Sequence, residues 1–460
     1  MKIKCIDESD RCKGKPHYSG LILWEKFQAG FIKLPVRILY GKSKELERKG
    51  CYTKISICVR KASLQMQKGM VSMIEIYVAA HFLVDLACAY LMFSGIYGAE
   101  NWYICLLLYN FCAFAMQMPI GLLADYKNRN AYLAVWGCVL VAAAFLPGAA
   151  VSLAARTGAA GTMTDSIGLW AAGTASIVSG LGNGLFHVGG GLDVLNKSNK
   201  SAGLLGFFVA PGALGIYLGT ALGKGRGWPE EWPALLLLPV AFGIYWCARR
   251  KGIWQVSGNA PFSLFPDRKA LAGAWKQAAA AVLCLFFVVV LRSYLGMIQD
   301  FIWKESMGAG MILVCAAALG KFAGGFLADI AGFKKTAVLS LIVSGGLHLL
   351  SFHPAAGILA VFFWNMTMPL TLWAVARLMP GAKGFSFGLL TFGLFLGFCP
   401  PYLKISAFTD LFPTPELGLG LLCGISLALF QGGMYYAGKY FHGTVDISRN
   451  GNFPRADNSR

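Results

Sequence analysis

Several side chains able to bind or release a proton stand inside long apolar stretches of this chain. His81 and Asp85 are four residues apart, so on a helix they share one face, with Asp85 near the middle of its stretch. A carboxyl and an imidazole so placed can carry a proton. Burial opposes the charged carboxylate and a nearby cation favours it, so a change of surroundings can load or release that proton. Asn183 and His187 repeat the four-residue spacing in a later stretch, Arg292 stands in a third, and Trp364 and Asn365 in a fourth. His187 precedes Gly189, Gly190 and Gly191, which open backbone and space for a ligand. Charge inside a bilayer is costly, so each of these residues is expected to face a solvated cavity or a partner. The structural alternatives are a satisfied His81–Asp85 pair, an Asp85–Arg292 latch and a core role for His187. Lys321 is expected to be structural, snorkelling from its apolar stretch toward the surface.

The elements that position these residues follow from composition. Of the 460 residues 56% are hydrophobic and 14% charged, with a mean hydropathy of +0.57. That is the composition of an all-α, multi-pass membrane protein. Apolar runs near the roughly 20 residues that a bilayer core requires recur at about 73–95, 102–124, 131–154, 168–192, 201–223, 232–249, 276–300, 306–329, 334–352, 355–378, 384–404 and 416–438, which makes twelve spans. The thirteen cysteines are scattered without a Cys-x-x-Cys pair, so neither a disulfide framework nor a zinc site is indicated.

The formal charge of +19 resides in short loops and in the first segment, with no basic stripe interleaved with aromatics. It indicates membrane orientation rather than nucleic acid. With the N-terminus inside, Lys127, Arg129, Lys197, Lys200, Arg249, Arg250, Lys251, Lys334, Lys335, Arg377 and Lys383 all fall on the inner side. Both termini are then cytoplasmic. The division is a basic extension over 1–69 without a fold of its own, a six-helix bundle over 70–249, a cytoplasmic linker over 250–275, a second six-helix bundle over 276–440 and a cytoplasmic tail over 441–460. Met66, Met70 and Met73 stand just before the first span as alternative starts of translation.

Two stretches are near copies of each other. Gly121-Leu-Leu-Ala-Asp125 is followed by Lys127 and Arg129, and Gly325-Phe-Leu-Ala-Asp329 by Lys334 and Lys335. Ser201-Ala-Gly203-Leu-Leu and Ser386-Phe-Gly388-Leu-Leu form a second matched pair at the starts of the fifth and eleventh spans. Internal duplication of this kind marks a transporter built from repeats. The chain resembles the major facilitator superfamily, whose signature Gly-x-x-x-Asp-(basic)-x-Gly-(basic)-(basic) joins the second to the third helix and recurs between the eighth and ninth. Tyr126 and Asn128 depart from it in the first copy, and Ile330 in the second. Gly184-Leu-Phe-His187 resembles the fourth helix of the fosmidomycin-resistance branch, and Ala210-Pro211-Gly212 is similar to an element of the proton-coupled exporters.

The resemblance implies two pseudo-symmetric six-helix bundles around a cavity lined by the first, fourth, seventh and tenth helices. It implies proton coupling by Asp85 and His81 and substrate binding by His187, Arg292, Asn183, Trp364 and Asn365. It also implies a conformational gate made by Gly121, Asp125, Lys127, Arg129, Gly325, Asp329, Lys334 and Lys335, in which each aspartate faces the N-terminus of the eleventh or the fifth helix. The function expected is secondary active transport of a small organic solute by alternating access, as proton-coupled efflux, with uptake symport of an organic anion or nutrient as the alternative. A non-transporting receptor or a membrane-embedded enzyme is the competing class. No nucleotide-binding loop or His-Glu-x-x-His cluster supports it, so no catalytic residue, cofactor or metal is expected. The expected setting is the cell membrane, with a monomer, a small-molecule substrate, protons and the lipid bilayer as partners.

Overall fold

The computed structural model describes residues 73–96, 101–150, 164–198, 201–225, 228–229, 231–250, 258–264, 274–305 and 308–450. The basic extension over 1–69, most of the linker and the end of the tail lie outside the described residues. Ten helices are long and apolar enough to cross a membrane. They are α1 (Met73–Ile96), α2 (Trp102–Lys127), α3 (Asn130–Ala150), α5 (Gly203–Gly225), α6 (Trp232–Arg249), α7 (Trp275–Ile298), α8 (Ala309–Ala331), α10 (Pro354–Leu378), α11 (Lys383–Tyr402) and α12 (Pro415–Phe441). Two more helices complete the order, α4 (Thr164–Lys197) and α9 (Phe333–His348). Every expected span is met by one of these twelve.

Boundaries differ where local chemistry overrides hydropathy. The fourth span is expected at 168–192, but α4 continues to Lys197 and carries the polar residues Asp193 and Asn196 into a hydrogen-bonded layer. The ninth span is expected to reach 352, whereas α9 ends at His348 and the next helix starts with Pro354 at its first position, where proline's missing N–H costs nothing. Helix α10 breaks at Met366, between Asn365 and Thr367. Pro369 has no N–H for the carbonyl of Asn365, four residues back, which accounts for the break.

Helix neighbours repeat on adding six. Helix α3 packs along α4 and α6 as α9 packs along α10 and α12, and α2 touches α4 as α8 touches α10. The two halves meet through α2 against α11 and α5 against α8, a pair that the same shift interchanges. At both seams backbone lies on backbone. A Cβ at Gly121 would collide with the carbonyl of Gly384, and one at Gly325 with that of Ala202. Small residues permit this approach in lipid, where packing rather than hydrophobicity holds helices together.

The duplicated turns also match in conformation. Gly332 ends α8 with φ +97° and its N–H on the carbonyl of Ala328; Asn128 ends α2 with φ +50° and its N–H on the carbonyl of Ala124. Asparagine is among the few side-chain-bearing residues that enter this left-handed region readily. Its replacement of glycine therefore keeps the turn rather than loosening it.

Candidate functional site

His81 and Asp85 stand one turn apart on α1, and His187 reaches them from α4. His81 Nε2 lies 3.2 Å from Asp85 Oδ2, and His187 Nε2 lies 3.7 Å from Asp85 Oδ1. The two Nε2 atoms are 2.9 Å apart. Asn183, one turn before His187, donates its amide to Asp85 Oδ1 at 3.0 Å and so fixes the carboxylate.

The other nitrogen of each ring determines what this cluster holds. His81 Nδ1 is 2.7 Å from the carbonyl of Phe208, and His187 Nδ1 is 2.9 Å from that of Asn183. A carbonyl only accepts, so both Nδ1 atoms carry hydrogen, and in neutral rings both Nε2 atoms carry lone pairs. Two lone pairs facing each other at hydrogen-bond distance repel. One proton between them turns the contact into an N–H···N bond, and the positive charge so made is balanced by Asp85. With that proton the cluster would hold one hydrogen beyond the two on Nδ1. The three ligand atoms lie within 4.8 Å of one another, close enough for a divalent ion to use the same donors. Gly212 on α5, next to the helix proline Pro211, closes the other side, since a Cβ there would strike both Asp85 and His81.

The cluster forms one wall of a cavity of about 360 Å³ between the halves, the size of a site for a small organic molecule. Its lining is mostly apolar, with Phe93, Phe114, Met297, Met368 and Phe398 among the contributors. Gln117 and Tyr109 add polar groups from α2, and Lys321 enters from α8.

The expected substrate residues divide. His187 lines the cavity, and Asn183 stands behind Asp85. Arg292 lies off the cavity wall: Ser293 and Met297 take the cavity face of α7, and Arg292, a step of about 100° around the helix, donates to Thr371 Oγ1 at 3.3 Å. Trp364 is buried in the second half with its indole N–H toward the backbone carbonyl of Arg292, and Asn365 bonds the Val361 carbonyl of its own helix. The Asp85–Arg292 latch is absent; the ion-pair partners of Asp85 are His81 and His187. Lys321, expected to be structural, instead faces the cavity. Its neighbours Gly320 and Gly324 are pressed on backbone of α10 and Gly325 on that of α5, so the side chain leaves between those seams.

Paired caps join the two halves across their seams. Asp125 accepts the N–H groups of Gly384 and Phe385, both at 2.8 Å, at the start of α11. Asp329 accepts those of Ala202 and Gly203 at 2.8 and 2.9 Å, and the Ser201 hydroxyl at 2.5 Å, at the start of α5. A carboxylate on the free N–H groups of a helix start is favoured by charge and by hydrogen bonding. Lys127, Arg129, Lys334 and Lys335 are exposed beside these caps.

The described piece of linker, 258–264, adds a contact that the sequence did not signal. Asn259 donates to the Ala124 carbonyl and accepts from Asn130 and Asn196, and its N–H meets Asn128 Oδ1, all at 2.8–2.9 Å. Asn196 also accepts from Lys383 of the second half, and Ser263 pairs with the backbone of Gly381. The linker therefore ties both halves beside these caps.

Twelve helices in two halves related by a shift of six, enclosing one cavity at their seam, define the major facilitator fold. Solved transporters share it. The chain superposes on the E. coli fucose:proton symporter with a TM-score of 0.56 at 16% identity, over 79% of this chain and 98% of that one. On the human organic anion transporter MFSD10 the TM-score is 0.57 at 15% identity, over 78% and 98%. On a bacterial homologue of the iron transporter ferroportin, in an outward-facing state, it is 0.52 at 14% identity, over 80% and 99%. No protein-family model matches the chain, and no curated protein is significantly similar to it in sequence.

Proposed function

We propose that the chain is a secondary active transporter that moves a small organic solute across the cell membrane by alternating access, driven by protons. The observation that carries this reading is the pair of histidine Nε2 atoms held 2.9 Å apart beside Asp85 on the cavity wall. A proton there changes the charge of the cavity in which a solute would sit. The Asp125 and Asp329 caps and the Asn259 ties hold one end shut, and their release would open it. The basic residues of the short loops gather at that end, which supports reading it as the cytoplasmic side with both termini inside; a reporter fused after Asn259 should read inside, and one after Gly161 outside.

Export is the first direction, supported by Gly212 packing directly on the His81–Asp85 pair next to the helix proline Pro211, where a kink of α5 would move it. Uptake symport of an organic anion is the second reading, favoured by Lys321, a cation on the cavity wall. The MFSD10 and fucose symporter comparisons are compatible with either. The test is solute flux in proteoliposomes under a pH gradient imposed in each direction. A flux that reverses with the gradient fits the proposal, and a flux indifferent to it defeats proton coupling.

A further inference from the structure

The charges inside the membrane do not balance. In the second half, Asp300, Glu305, Asp329, Asp410, Glu416 and Asp446 all stand at helix ends or in loops, or beyond the span of α12. Arg292 is buried and has a hydroxyl, not a carboxylate, for a partner. Lys321 makes no hydrogen bond and no ion pair among the described residues, and it is the one lysine or arginine among them that lines the cavity. Across the cavity, Asp85 is the one carboxylate on the wall, and it is already engaged by His81, His187 and Asn183. An ammonium in a mostly apolar, intramembrane cavity is expensive unless an anion joins it.

We infer that Lys321 is the docking point for the anionic group of the transported solute, a carboxylate or phosphate on an apolar body that lies against Phe93, Phe114, Met297, Met368 and Phe398. The inference rests on the transport reading and names its substrate class. Lysine suits the task as a compact point charge on a flexible stem, able to follow an anion as the halves move. An anion at Lys321 would share one cavity with the His81–His187–Asp85 cluster, so the charge state of that cluster would alter how strongly the anion is held.

The experiment is thermal unfolding of the purified full chain in detergent, with benzoate and phenylphosphonate as anionic probes and benzyl alcohol and benzylamine as neutral and cationic counterparts. At least one anion should raise the unfolding midpoint of the wild type and of Lys321→Arg while the counterparts do not. The anion-specific rise should vanish in Lys321→Gln. Without any probe, Lys321→Met should unfold at the same or a higher temperature, because it removes an unpaired charge; a purely structural lysine would give a lower one. The inference is overturned by anions that shift the wild type no more than benzyl alcohol does, by a rise that survives in Lys321→Gln, or by a probe-free loss of stability in Lys321→Met. No gradient is present in this assay, so its failure leaves proton-driven flux to be judged on its own.

Discussion

His81 Nε2 and His187 Nε2 face each other at 2.9 Å while each ring spends its Nδ1 hydrogen on a backbone carbonyl. The backbone thereby fixes both tautomers. One anchor is Phe208 of α5 and the other is α4 itself, so a shift of α5 against α1 and α4 would alter the contact between the rings. Under the proposed function, that is how protonation would be coupled to helix movement without any contact between Asp85 and Arg292.

Gly212→Ala should weaken this coupling. The added methyl would strike Asp85 and His81, and overpacking of this kind costs about 1–3 kcal/mol. The expected outcome is a lower unfolding temperature and loss of pH-driven flux. Unchanged flux would mean that α5 does not press on the proton cluster.

Under the proposed function, the linker-end ties would set the balance between the two open states. Asp125→Asn and Asp329→Asn each weaken two or more hydrogen bonds to a charged acceptor, and Asn259→Ala removes the linker's anchor. Each change should favour opening of that end by about 1–3 kcal/mol. Spin labels at Tyr126 and Ile330, both exposed next to the caps, would report it. A longer distance in each variant is expected; an unaltered distribution in all three would remove these residues from the gate.

Much of the fold was legible because its physics is local. Twelve runs of bilayer length and a duplicated Gly-x-x-x-Asp stretch carry the helix count and the pseudo-symmetry, and neither depends on distant contacts. The His81–Asp85–His187 cluster was half legible. The spacing of His81 and Asp85 places them on one face, but the approach of His187 depends on how α1 crosses α4, which no spacing encodes. Arg292 and Lys321 exchanged places for a similar reason: both stand in apolar runs, and only the seams of glycine against backbone decide which one turns to the cavity. Asn259 carried no signal at all, since one asparagine in a polar linker looks like any other.

Whether Arg292 or Lys321 holds the anion can be decided by adding Arg292→Lys to the binding assay. The Arg292 fork meets Thr371 and lies off the cavity wall, so this variant should keep anion-induced stabilisation within about twofold of wild type in apparent affinity, a difference of about 0.4 kcal/mol. A loss of tenfold or more, about 1.4 kcal/mol, would place Arg292 rather than Lys321 on the solute.

The most direct measurement is paired solute flux in proteoliposomes by the wild type and by Asp85→Asn, which keeps the shape of the side chain and removes its charge. Without that charge the proton shared by His81 and His187 loses its counter-ion, so the cluster no longer loads and unloads. The account predicts that Asp85→Asn fails to move solute against its gradient under an imposed pH difference, while exchange of solute for solute continues. Full pH-driven accumulation by Asp85→Asn would contradict it.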